Sequence, residues 1–468
     1  MLTKLPVELL DMVIDQLSSS RDLKRLGEDD DKDPHAFSKL NFALTSLKFP
    51  DDQLESFRWE VPTCIPSNLF CGKDAFLGKQ RNIRSITLIT DSICAANGMT
   101  QNAVDLVQFK KLESLSWKGF NSFGNYKSYS ACIKAHGHQL KSLTLDELRD
   151  VKEYNKWLRS YLLHEVGSLP TASPPNFTAQ KVFNLERGSQ RVIFDSLENL
   201  HLSSVSFANM GLEMLYAFNV EKLTSLRLRR CESSLKWLQE ILKSGKAMSL
   251  KSFEFALSTS HQDICTELAT LGHEYLAIRM TEIICGFIRR NPGLENLSLM
   301  LPECFDWDTL ADTLTSHHHR LARLVLHQLG GAPSMRFGMA RLMETSIPWT
   351  LPLESLLQSS QLTSFGSPVT PGELTLNFQM MNPRPSLKLI HFRISSVFLE
   401  SIVSHSEPDW RSTYKNLNTS QFWGTGGDVS EDDSDEIFDF AEWAFSADGL
   451  PNLQIIAGDL ITPEDMKF

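Results

Sequence analysis

A chain of 468 residues, 42% hydrophobic and 22% charged, has the composition of a folded soluble protein. Its net charge of −11 argues against a dedicated nucleic-acid binder, which carries a basic face, and no apolar run approaches the ~20 residues of a membrane span. The start of the chain contains Glu8, Asp11 and Asp15 and lacks the basic opening of a secretory signal, so a cytoplasmic or nuclear location, or both, is expected.

Helical patterning opens the sequence. Leu9, Leu10, Val13, Ile14 and Leu17 form one apolar stripe, with Pro6 suited to a first helical turn and Glu8 to the positive end of the helix dipole. Asp22 to Leu26 gives a second short segment, and Leu40 to Phe49 (LNFALTSLKF) a third. Between them, Gly27 to His35 reads as a solvated acidic loop. Three short helices within residues 1–50 bury little apolar surface by themselves, so such a module completes its burial against a partner. Residues 51–82, with Pro62, Pro66 and Gly72, read as an irregular connector. Gly72 to Gln80 imitates a phosphate-binding loop, but it has one residue too many between its glycines, and Gln80 stands where Ser or Thr would hold magnesium.

From residue 83 onward one phrase recurs. Leu-x-x-Leu-x-Leu hexads begin at Ile83 (IRSITL), Leu112, Leu140, Leu197, Leu223, Leu250, Leu294 (LENLSL), Leu321 and Leu387, with weaker echoes at Leu362 and Leu453. Starts at 83, 112 and 140 are 29 and 28 residues apart, and those at 197, 223 and 250 are 26 and 27 apart. A period in the range of ~20–29 residues marks a leucine-rich-repeat solenoid, each unit giving one short strand and a helical or irregular return. Period-two alternation sends the hexad leucines to one side of the strand and the intervening residues to the other. One unit cannot bury its apolar side alone, so neighbours stack into a parallel sheet. Met280 to Arg290 has apolar residues at helical spacing and a stop at Asn291-Pro292-Gly293; Ser234 to Leu242 and Thr309 to Leu314 read as further return helices.

Insertions are expected where the period lengthens: near 147–196, with a helix at Tyr154 to Val166 and a proline-rich piece at Ser168 to Asn176; near 258–275; and near 330–360. Gly424 to Glu436 reads as a solvated acidic loop near 424–437. The aromatics Phe438, Phe440, Trp443 and Phe445 read as a C-terminal cap closing the sheet edge. The fold class is therefore α/β: an N-terminal three-helix module, a connector, and a solenoid over 83–468 whose curved parallel sheet carries its helices on the convex side.

The eight cysteines (Cys64, Cys71, Cys94, Cys132, Cys231, Cys265, Cys285, Cys304) show no paired C-x-x-C spacing and read as reduced thiols. His317-His318-His319 cannot share a helical face, so no metal site is expected. Neither a catalytic motif nor a cofactor fingerprint appears, which points to a non-enzymatic binding protein.

The segments LPVELLDMVIDQL, SSSRDLKRL and LNFALTSLKF closely resemble an F-box, and with the repeats behind them the chain resembles a fungal-type F-box protein with leucine-rich repeats. The resemblance implies binding to the adaptor Skp1, and through it to a cullin–RING (SCF) ubiquitin ligase. By position, Leu5, Pro6, Glu8, Leu9, Ile14 and Leu17 match the first-helix motif, Leu23 and Leu26 the second segment, and Leu44, Leu47 and Phe49 the third. The acidic stretch 27–35 departs from the family, which runs straight on. An unidentified protein substrate would meet the strand positions between the core leucines: Asn199, His201, Arg227, Arg229, Glu254, Asn296, Ser298, Arg323, His327, His391 and Arg393. Of these, Arg227, Arg229, Arg323 and Arg393 form an expected basic streak, suited to an acidic or phosphorylated segment. The competing expectation is a repeat scaffold without a ubiquitin role, its N-terminal helices serving as a cap.

Overall fold

The computed structural model describes residues 50–60, 67–70, 75–90, 104–119, 123–147, 176–257, 273–302, 305–317, 319–329, 356–357, 361–367, 371–395 and 431–461. The helical module expected over 1–50 lies outside the described residues except for Pro50. So do the expected helix Tyr154 to Val166 and most of the expected insertions near 258–275 and 330–360. Two compact units divide the chain, one of residues 1–173 with 180–184, the other of 174–179 with 185–468.

The first unit contains β1 (Ser56–Trp59), β2 (Ser85–Ile89), β3 (Ser114–Lys118), helix α1 (Phe123–His136) and β4 (Ser142–Asp146). Its strands pair in parallel in chain order, with Ser85 opposite Ser114 and Ser114 opposite Ser142. In the second unit are β5 (Asn199–Ser203), α2 (Gly211–Ala217), β6 (Ser225–Arg229), α3 (Ser234–Ser244), β7 (Ser252–Ala256), α4 (His273–Arg289), β8 (Asn296–Pro302), α5 (Trp307–His317), β9 (Arg323–Leu329), β10 (Ser364–Ser367), α6 (Pro371–Met380), β11 (Leu389–Ser395), α7 (Glu431–Ala444) and β12 (Ile455–Ile461). Here too each strand pairs in parallel with the next. The architecture is α/β, built of strand-and-return units.

Register follows from the hexad. Leu226 and Leu228 of β6 are fully buried, while Ser225, Arg227 and Arg229 alternate to the other face. Within each unit the carbonyl of a hexad's second residue accepts two successive amides from the next hexad. Glu198 receives Thr224 and Ser225 at 2.8 and 3.0 Å, and Thr224 receives Lys251 and Ser252 at 2.8 and 3.1 Å. Glu55, Arg84 and Glu113 do the same in the first unit. A slip of one residue would turn every leucine to solvent, so the two-amide junction and the apolar pattern specify the same register.

Inward side chains meet the return segments. The Phe253 and Phe287 rings lie 4.7 Å apart between β7 and α4, those of Phe392 and Phe440 5.0 Å apart between β11 and α7, and Phe207 stacks on Trp237 of α3 at 4.6 Å. Burying one such side chain contributes about 1.5–3 kcal/mol, so stacking of units supplies the core that no single unit has. Helix α3 extends beyond the expected Leu242 to Ser244 and stops at Gly245, whose φ of +70° lets its N–H return to the Leu242 carbonyl. Helix α4 starts before the expected Met280, and α5 runs past both ends of the expected Thr309 to Leu314.

Amide side chains staple units together. Gln80, 1% exposed, accepts from the Gln53 and Leu54 amides at 2.9 and 3.0 Å and donates to the Pro50 carbonyl at 3.0 Å. Asn291, also 1% exposed, donates to the Phe287 carbonyl at 2.8 Å and accepts from the Leu250 amide at 3.4 Å. Both stand three residues ahead of a hexad, at Ile83 and Leu294, and both reach the first residue of the preceding one. Gln139 is related, donating to the carbonyls of Lys110 and Leu112 at 2.9 and 3.0 Å.

Three expectations are corrected. The connector over 51–82 contains β1, because Leu54-Glu55-Ser56-Phe57-Arg58-Trp59 is itself a hexad with aromatic residues in the strand; Phe57 and Trp59 are 4% and 5% exposed. The acidic run expected as a loop near 424–437 enters a helix at Glu431, since carboxylates suit the first turn and Phe440 and Ala444 one turn apart give the helix a buried side. Of the aromatics expected to cap the sheet edge, Phe438, Phe440 and Trp443 belong to that helix and Phe445 directly follows it: Phe440 packs inward, Phe438 and Phe445 are exposed, and the later strand β12 continues the sheet.

Candidate recognition surface on the open sheet face

Opposite the return helices, strands β5 to β9 present a second face. Its rows follow from the parallel register: His201, Arg227, Glu254 and Ser298 lie side by side on β5 to β8, and Asn296 lies beside Arg323 on β8 and β9. Cross-strand neighbours on one face are close enough to interact, and here they do. The Arg227 Nε lies 2.6 Å from Glu254 Oε2, and the Arg229 Nε meets Glu254 Oε1. Glu254 is the most sheltered of the three, with 15% of its side chain exposed against 43% for Arg227 and 47% for Arg229. His201 Nε2 is 3.2 Å from the Ser225 hydroxyl.

Burial pulls the Arg227 guanidinium below its ordinary value; Glu254 opposes that shift, and the positive charges of Arg229 and Arg323 add to it. A guanidinium lowered in this way still stays protonated at neutral pH. Three arginines facing one glutamate leave a local charge of about +2 on a protein of net charge −11. The first unit is different, its open face carrying hydroxyl rows such as Thr87, Ser116 and Thr144.

Asn199, His201, Arg227, Glu254, Asn296, Ser298 and His391 are half-buried on this face, and Arg229 and Arg323 are exposed. His327 is a correction: its strand position alternates correctly with Leu326, but it is fully buried, and Val325 beside it is 4% exposed. Beyond Arg323 the open face of β9 is therefore covered. The expected basic streak is interrupted, because Glu254 occupies the row between Arg227 and Ser298 and engages two of the four arginines. Arg393 lies in β11 opposite Asp459 of β12; its side chain falls outside the described residues. The adaptor-binding positions Leu5, Pro6, Glu8, Leu9, Ile14, Leu17, Leu23, Leu26, Leu44, Leu47 and Phe49 fall outside them as well.

Sequence reasoning missed Ser225 as the partner of His201 and placed Glu254 on the surface without its arginines. The second was readable: Arg227 and Glu254 occupy the fifth position of consecutive hexads, and equal offsets become neighbours in a parallel sheet.

Among the described residues no group of three or more His, Cys, Asp or Glu could hold a metal ion, and no helix is long and apolar enough to cross a membrane. No known protein-family model matches the chain, and no curated protein matches it.

Proposed function

We propose that this chain is an F-box protein with leucine-rich repeats, serving as the substrate-recognition subunit of an SCF-type ubiquitin ligase. Its N-terminal segment LPVELLDMVIDQL holds Skp1, and its repeat units hold a protein substrate. The chain itself contributes proximity, and the ubiquitin chemistry belongs to the cullin and RING partners. The observation that carries the reading is the pairing of that N-terminal motif with a run of hexad units whose open face over β5 to β8 carries polar residues. A repeat array of this kind offers an extended binding surface.

Co-purification of the full chain with Skp1, wild type beside a Leu9→Asp/Ile14→Asp double variant, tests it. Each substitution puts a charge into the proposed apolar contact, where desolvation is costly. Binding by the wild type that the double variant loses, with an unchanged circular dichroism spectrum, supports the receptor reading. A wild type that does not bind Skp1 leaves a repeat scaffold without a ubiquitin role.

A further inference from the structure

We propose that the open face over β6 to β9 binds an extended acidic peptide, Arg227 and Arg229 taking one carboxylate or phosphate group and Arg323 a second. The inference rests on reading the repeat units as the recognition part of a receptor, and it names the class of segment recognised. Three observations carry it.

The first is a preset fork. Glu254 meets Arg227 and Arg229 through Nε, which leaves the terminal Nη groups of both guanidiniums as donors on half-exposed side chains. An arginine whose side chain is already held loses less freedom when it grips an anion, and planar guanidinium groups suit the two oxygens of a carboxylate or phosphate. The second is charge. Glu254 compensates one of the two arginines it touches, and Arg323 is exposed, so the surface attracts anions while the protein as a whole repels them. The third is spacing. Arg227 and Arg323 stand three strands apart and two residues out of row, roughly 16 Å at ~4.8 Å per strand and ~3.3 Å per residue, a distance that about five residues of extended peptide cover. Between them Ser298 and Asn296 offer hydroxyl and amide groups to a peptide backbone.

Glu254 is thus a positioning residue with a cost: it orders the fork and repels the ligand. Its removal has a predictable sign. Glu254→Gln keeps acceptor and donor groups in place and deletes one negative charge, so an acidic peptide binds a few-fold tighter at low salt. A purely structural ion-pair cluster would not respond in that direction.

The experiment uses the full chain and a fluorescein-labelled peptide carrying two pairs of glutamates in a glycine–serine background, followed by fluorescence polarisation. A second arm replaces one glutamate pair with phosphoserines, and a third replaces all glutamates with lysines. Wild-type binding that weakens with salt, falls about tenfold for each arginine changed in Arg323→Ala and Arg227→Ala/Arg229→Ala, and rises in Glu254→Gln is the expected result. Preference between the first two arms tells a carboxylate ligand from a phosphorylated one. The inference is overturned by absence of acidic-peptide binding, by equal binding of the lysine peptide, by arginine variants that bind like wild type, by Glu254→Gln binding no tighter, or by a single-stranded oligonucleotide that displaces the peptide at equal concentration. Skp1 co-purification of the same arginine variants keeps the two readings apart. Retained Skp1 with no peptide binding removes only the acidic-segment inference, and peptide binding without Skp1 removes only the ligase.

Discussion

Replacing Asn291 with alanine tests whether the amide staple stabilises the second unit or merely decorates it. The substitution strips the Phe287 carbonyl of its 2.8 Å donor and the Leu250 amide of its acceptor at 3.4 Å, both bonds lying in the interior. An unsatisfied buried polar group costs about 1–3 kcal/mol, and the longer bond belongs at the low end, so the sum is about 2–4 kcal/mol. Urea unfolding followed by circular dichroism reads the total. Hydrogen exchange of the peptide covering residues 246–257 reads the local effect, because the Leu250 amide loses its partner directly. Asn291→Asp preserves the volume but sets a carboxylate against the Phe287 carbonyl. It is expected to be at least as unstable at neutral pH and to recover partly in acid, where the protonated carboxyl can donate. An Asn291→Ala protein within about 0.5 kcal/mol of wild type, with unchanged exchange at Leu250, would refute the staple as a stabilising element.

Two further outcomes are expected in the first unit. Gly119 has a φ of +80°, and a Cβ added there would lie 1.9 Å from the Thr90 carbonyl oxygen. Gly119→Ala should cost about 2–4 kcal/mol from the left-handed backbone and the forced displacement, with a change in Trp117 fluorescence, since the Trp117 indole donates to the Thr90 hydroxyl at 3.1 Å. His136, 4% exposed and 3.0 Å from the Val107 carbonyl, has its pKa lowered from 6.5, chiefly by burial; the bond to Val107 opposes the shift, and Lys110 and His138 reinforce it. The folded state therefore binds this proton less readily than the unfolded state. Its stabilising contribution is complete above pH 6.5 and is lost as pH falls through the depressed value. Denaturation across that range should show a pH dependence that His136→Phe reduces; equal slopes in the two proteins would sink the assignment.

Much of this architecture was legible because the hexad encodes it twice, in leucine positions and in period. The echoes at Leu362 and Leu453 became β10 and β12, so even degraded copies kept their strand. Leu54 to Trp59 escaped recognition because Phe57 and Trp59 replace the aliphatic residues, although Leu54 stands 29 residues before Ile83, a full period. The open face was legible as a set of positions and less so as chemistry. Alternation tells which way His327 points but not whether other residues cover it, because coverage depends on segments distant in sequence. The arginines were visible as charges, whereas their pairing with Glu254 required aligning hexads side by side. Gln80 was read only against a phosphate loop and Asn291 only as a helix stop, because a lone amide before a hexad looks like any loop residue; their shared offset becomes meaningful only once both are seen reaching backward.

That offset has a mechanical consequence. In a linear array the weakest junction decides where the chain parts under tension or heat, and the rest follow from the exposed ends. A staple at Gln80 strengthens the joint between the units beginning at Leu54 and Ile83, and one at Asn291 the joint between those beginning at Leu250 and Leu294. Pulling experiments on the repeat units should therefore record rupture steps of unequal force, the stapled joints breaking late.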